Sequence, residues 1–169
     1  LYASIGSNTN SGVVDSPGAE VDIPSFHWIL SGKKYGSGGT SGFCKHSESA
    51  QEDSTINEGK LSNASIISCN LIDNEITTYA TGIRNVKGYS ITSEGKIIAI
   101  VGGVEDSGAR PLANDKDYIY RIKEKSWYGW PDFSGGDPVN SPRFISGKEA
   151  NGFIIKNHPT EVVYGPVYQ

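Results

Sequence analysis

The stretch "ASIISCNLIDNEITTYATGIRNVKGYSITSEGKIIAIVGG", residues 64–103, decides the fold. It holds four runs rich in β-branched and aromatic residues, at 64–73, 75–81, 87–93 and 96–103. Between them lie "DNE" (73–75) and "SEG" (93–95), whose Asn, Asp and Gly tolerate the backbone of a tight reversal. The runs recur about every ten residues, which is the rhythm of short strands joined by turns. No segment of the chain carries the 3.6-residue apolar period of an amphipathic helix.

Working outward, "LYASIG" (1–6), "DYIYRI" (117–122), "GFIIKN" (152–157) and "TEVVYGP" (160–166) read as further strands. Residues 7–20 are loop chemistry. "VDIPSFHWILSGKKY" (21–35) carries an extended segment with "FHWIL" (26–30) buried, and Pro24 argues against a central strand. Residues 21–63 together form a long loop-rich excursion, polar and without a period from 36 onward. In "SWYGWPDFSGGDPVNSPRF" (126–144), Trp127, Tyr128 and Trp130 crowd into four positions before a run of Pro and Gly. Such bulky groups gain little on a surface, and Pro and Gly would break a strand, so this reads as an irregular but packed loop.

With 169 residues the chain is long enough for one domain with a core of its own. Short strands at this spacing make an all-β fold: a sandwich, a barrel or a propeller. A propeller blade uses four antiparallel strands in about 40–45 residues, so the visible strands fill two to three blades of a ring that needs more. The net charge is −4 with no basic cluster, which disfavours nucleic acid as a partner. The longest apolar run, "KIIAIV" (96–101), is far below a membrane span. Leu1 opens inside a strand-like segment and Gln169 closes another, so the chain reads as a fragment or a processed form. The two cysteines, Cys44 and Cys69, have no zinc-type spacing; a disulfide and two unpaired thiols both fit them. "NAS" (63–65) is a glycosylation acceptor only in a eukaryotic secretory setting. His46 with Glu48, Glu52 and Asp53 is explained by an exposed polar loop better than by a metal cluster.

Several ordered motifs carry a resemblance: "TGIRNVKG" (81–88), "SEGK" at its turn (93–96), "VGGVED" (101–106), "NDKDYIYRI" (114–122) and "WYGWPDF" (127–133). Together they are similar to the glucose/sorbosone dehydrogenase family, quinoproteins that hold pyrroloquinoline quinone (PQQ) on a six-bladed β-propeller. The resemblance covers most of the chain and is weakest over 21–63. It implies an oxidoreductase, or part of one, that oxidises an aldose or related sugar, located in the periplasm or outside the cell. It implies a single incomplete propeller domain over 1–169, with 64–169 the best-matching blades. By this resemblance Arg84 and Asn85 match the pair beside the quinone. Guanidinium and amide donors suit its carboxylates and carbonyls. Gly103 and Val104 match the loop whose carbonyls ligate Ca²⁺, an ion that takes hard oxygen donors including main-chain ones. The family often has proline where Val104 stands, but a carbonyl is present either way. Asp117 matches an acidic position grouped with the cofactor contacts. The family's catalytic histidine would lie upstream of Leu1, so none of His27, His46 and His158 is assigned as the base. The remaining PQQ-gripping residues would lie beyond Gln169.

Two other readings stand beside this one. The chain could be a non-catalytic propeller segment that binds carbohydrate or a protein partner, or a Ca²⁺-stabilised sandwich unrelated to quinoproteins. A partial propeller leaves strand edges and blade faces open, so self-association or a second chain that completes the ring is expected.

Overall fold

The computed structural model describes residues 1–145, 149–159 and 165–168. Among them the chain is all-β apart from one 3₁₀ turn at Pro142–Phe144. The strands are β1 (Tyr2–Ile5), β2 (Trp28–Ile29), β3 (Thr55–Ile56), β4 (Ser65–Cys69), β5 (Ile76–Thr81), β6 (Val86–Ile91), β7 (Ile97–Val101), β8 (Tyr118–Ile122), β9 (Ser126–Trp127), β10 (Phe133–Ser134) and β11 (Asp137–Pro138). They form several small sheets, none of which closes on itself.

The larger sheet has the order β1-β4-β5-β9. Its first two pairings are antiparallel, but β9 joins β5 in parallel. The reason is topological: the chain reaches β9 from β8, in the other sheet, and not by a hairpin from β5. This sheet is therefore not the wholly antiparallel four-stranded blade expected from the sequence. The second sheet, β6-β7-β8, is an antiparallel meander. At its far edge Val167 and Tyr168 pair with Ile119.

Local chemistry explains the hairpins. Asn74 takes φ 59° in the β4–β5 turn, and Asp73 accepts the Glu75 N–H at 2.9 Å. Gly95 takes φ 75° in the β6–β7 turn, which Thr92 closes by donating its N–H to the Lys96 carbonyl at 2.9 Å. Strict alternation then sets the faces: Ile97, Ala99 and Val101 of β7 point inward, as do Tyr118, Tyr120 and Ile122 of β8.

The buried residues form two clusters. One gathers Val13, Trp28, Leu30, Phe43, Leu112 and Ile154 around Trp127 and Trp130. The other joins the inward faces of both main sheets around Ile66, Ile83 and Tyr128. The aromatic loop thus answers to two cores at once: its tryptophans enter the first and the intervening tyrosine enters the second. The Tyr128 hydroxyl donates to the Arg121 carbonyl at 2.7 Å and fixes the loop to β8.

The excursion 21–63 holds the short β2–β3 ladder and an isolated bridge from Tyr35 to Gly39, with "FHWIL" buried at Trp28 and Leu30. Residues 152–157, expected as a strand, make only a single bridge, Leu30 to Ile155. Their backbone is drawn elsewhere: the Ile154 and Ile155 N–H groups both donate to the Asp132 carboxylate. The expected strand at 160–166 falls largely outside the described residues. Cys44 and Cys69 are both unpaired thiols; the buried one, Cys44, lies in a loop and not in a strand.

Candidate functional site

The ends of β1, β5 and β7 and the starts of β6 and β8 gather on one side of the molecule. Backbone bonds knit the connections there: Ser7 N–H to the Arg84 carbonyl at 2.8 Å and Gly102 N–H to the Asn85 carbonyl at 2.9 Å. A surface cleft of about 370 Å³ opens at this point, lined by Arg84, Lys87, Gly103, Glu105, Asn114 and Asp117 among others. That size falls within the usual range for small-molecule sites, about 300–1,000 Å³.

Arg84 is half-buried and makes a three-point clip. Its Nε donates to the Asn10 carbonyl at 2.8 Å, its Nη2 to Asn10 Oδ1 at 2.7 Å and its Nη1 to the Gly103 carbonyl at 2.7 Å. Burial pulls its pKa below the usual guanidinium value, with Glu105, Asp115 and Asp117 opposing. An arginine remains charged regardless. Asn10 is the other half of the clip. Its Oδ1 also accepts the Glu105 N–H at 2.9 Å, and its Nδ2 donates to the Glu105 and Ser107 carbonyls at 3.1 Å each. Trp130 Nε1 reaches the Asn10 carbonyl at 3.4 Å, so the aromatic loop supports the cleft from behind.

Four of the five residues singled out from the sequence line this cleft: Arg84, Gly103, Val104 and Asp117. Asn85 borders it through its backbone, while its Oδ1 rests over Gly6, where a Cβ would come within 2.2 Å of it. Asp117 accepts from Lys87 Nζ at 2.6 Å and from the Gly103 N–H at 3.2 Å. The Lys87 hydrogen bond, then that N–H, holds its carboxyl below the usual carboxylate range. The pair is solvent-exposed, so it adds little stability, at most about 1 kcal/mol.

Sequence reasoning missed two residues. Asn10 sat in what reads as an ordinary polar loop. Asp115 reads as one of several solvated acids in 106–117, yet its side chain is fully buried. It accepts from the Val104 N–H at 2.7 Å, from Ser134 Oγ at 2.6 Å and from the Tyr118 hydroxyl. Burial first, then that bond to Asp115, pushes the Tyr118 phenol up to about 12. Asn10 has its partners at Arg84 and Glu105, far along the chain, and of those of Asp115 only Tyr118 is near it in sequence, so no local signal marks either residue as buried or bridging.

None of the histidines lines the cleft. His158 Nε2 donates to the Asp132 carboxylate at 2.8 Å and its ring stacks on Trp127, His46 contacts Ser47, and His27 faces Glu58. Glu52 and Asp53 pair with Lys156, and no metal-holding group of acids, His or Cys occurs among the described residues. Asn63, the sequon residue, accepts the Ile23 N–H at 2.6 Å, and Ser65 of the sequon is buried.

The donor set can be tested against the two groups that the resemblance implies. Acidic groups of a ligand would meet the two N–H groups of Arg84 not used in the clip, Lys87, and Lys116, which has no ion pair among the described residues. That set fits. Calcium does not fit at Gly103 and Val104. The Gly103 carbonyl already accepts from Arg84, and an ion bound to it would sit roughly 4 Å from the guanidinium. The nearby carboxylates Asp115 and Asp117 are already engaged by protein donors.

Comparison with protein-family models, with curated proteins and with solved structures yields no match. The fold and cleft define the class by themselves: an open, all-β assembly of small sheets with a polar, mixed-charge cleft at one end of its strands.

Proposed function

We propose that this chain is part of a β-propeller protein of the glucose/sorbosone dehydrogenase type, and that the cleft at Arg84 faces the acidic groups of PQQ. The observation that carries the reading is convergence. Positions 84, 103, 104 and 117 are matched by motif alone, yet they line one cleft. A second feature supports the propeller. The Tyr89 hydroxyl of β6 donates to the Tyr2 carbonyl of β1 at 2.6 Å, a link between the edge strands of the two main sheets.

When bound, PQQ would supply the hydride-accepting chemistry for oxidation of an aldose-type sugar. This chain's own residues would bind and orient its acidic edge: Arg84 through the two N–H groups not used in the clip, Lys87 and Lys116 as rim charges. Asp117 would tune Lys87. Proton removal from the sugar is not assigned to this chain, since no histidine lines the cleft. The remaining blades would come from a longer form, a second copy or another chain. A periplasmic or extracellular site of action follows from the same reading.

Fluorescence titration with PQQ tests this. We expect saturable quenching of the tryptophans, weakened several-fold by Lys87→Ala with Lys116→Ala. No binding at about 100 μM PQQ, a level that would saturate a site with Kd of about 10 μM or tighter, rejects the proposal. The absence of a histidine from the cleft favours a second reading, a non-catalytic propeller segment. Binding without sugar-dependent quinone reduction, once the ring is complete, would select it.

A further inference from the structure

We infer that Arg84 takes the structural place of a divalent cation in this cleft, joining the loop after β1 to the loop after β7, so that the site assembles without Ca²⁺. The inference rests on the propeller reading only for the expectation that a metal belongs here. The bonding pattern stands apart from it.

The argument starts from the oxygen atoms. A calcium site needs six to eight oxygen ligands brought to one point. The cleft has a carbonyl at Gly103 and acids at Glu105, Asp106, Asp115 and Asp117; Gly103, Asp115 and Asp117 are each already assigned a donor, and among the described residues no three of the acids gather where they could hold an ion. Gly103 accepts from Arg84 Nη1 at 2.7 Å. Asp115 accepts from the Val104 N–H and Ser134. Asp117 accepts from Lys87 and the Gly103 N–H. The guanidinium also does what a bridging ion would do. It holds Gly103 of one loop and Asn10 of the other in a fixed relation, at 2.7–2.8 Å on each contact. Asn10 completes the bridge by bonding Glu105 through both its side-chain oxygen and its amide nitrogen. Its planar fork sets direction as well as charge, which a spherical ion does not.

The test uses the full chain, with Ca²⁺ alone as probe. Calorimetric titration should show no saturable binding up to about 1 mM, the weak end of protein calcium sites. Amide hydrogen exchange of residues 103–107 should be the same in EDTA and in Ca²⁺. Arg84→Lys, which keeps the charge but loses the fork, should lower protection there at least tenfold, and Ca²⁺ should not restore it. One-site binding by the unaltered protein tighter than about 1 mM overturns the inference, as does Ca²⁺-dependent protection of 103–107. If Arg84→Lys does not fold, the EDTA and Ca²⁺ comparison on the unaltered chain still decides. PQQ titration in EDTA separates this from the functional reading. Binding in EDTA supports both, and binding only with Ca²⁺ overturns this inference alone. No PQQ binding in either buffer rejects the functional reading and leaves the clip to the exchange data.

Discussion

Replacing Asp132 by asparagine should cost this protein a large share of its stability. Asp132 lies in the aromatic loop and pairs with Arg110 at 2.6 Å, both side chains with 0% exposure. Its carboxylate also takes the Ile154 and Ile155 N–H groups, at 2.9 and 2.8 Å, and His158 Nε2 at 2.8 Å. Arg110 in turn donates to the Ser11, Pro131 and Gly152 carbonyls, so four segments meet at one ion pair. Asparagine keeps the shape but removes the charge and turns an amide donor toward other donors. Breaking a buried pair from one side costs about 3–5 kcal/mol, because the remaining charge stays buried without its counter-ion. A domain of this kind has about 5–15 kcal/mol in total. Urea unfolding followed by tryptophan emission should show a midpoint lowered by roughly 2 M, at a slope of about 2 kcal/mol per molar. Arg110→Met should be destabilising too, but the double variant should fall short of the sum by about 2 kcal/mol or more. A loss below about 1 kcal/mol for Asp132→Asn, with unchanged slope, would refute the hub.

Further expectations follow from other positions. Asp22 is buried, and that burial raises its carboxyl from 3.8 to about 6 against the opposing bonds from Thr9 and Asn8. The folded state therefore holds this proton more tightly than the unfolded one. The contribution is full below pH 3.8 and is lost as pH rises through 6, a swing of about 3 kcal/mol. Unfolding series across pH 4–7 should show Asp22→Asn with a flatter profile than the parent. Gly82 sits at φ 69°, and a Cβ there would lie 2.5 Å from the Trp127 ring. Gly82→Ala should cost about 2 kcal/mol or more in the same assay. Asn10→Ala strips the Glu105 N–H and one Arg84 N–H of their acceptor, so a loss of about 1–3 kcal/mol and weaker PQQ quenching are expected.

What the sequence determined by itself is the local part of this molecule. Alternation in 97–101 and 118–122, with Asn74 and Gly95 in left-handed turns, sets the hairpins and which faces are buried. These depend on neighbours a few residues away, and a linear reading captures them. The packed character of the tryptophan loop was legible for the same reason, since its residue types are at odds with an exposed loop. Tertiary structure alone decided where polar groups find partners. Asn10 and Arg84 are 74 positions apart, and Arg110 and Ser11 are 99 apart. It turned residues 152–157 from an expected strand into a cap on Asp132, and it drew the start of the expected loop, Ser126 and Trp127, into a short strand parallel to β5. The physical reason is that a buried donor or acceptor must be matched by whatever the folded chain brings within about 3 Å, and nothing local dictates which residue that is.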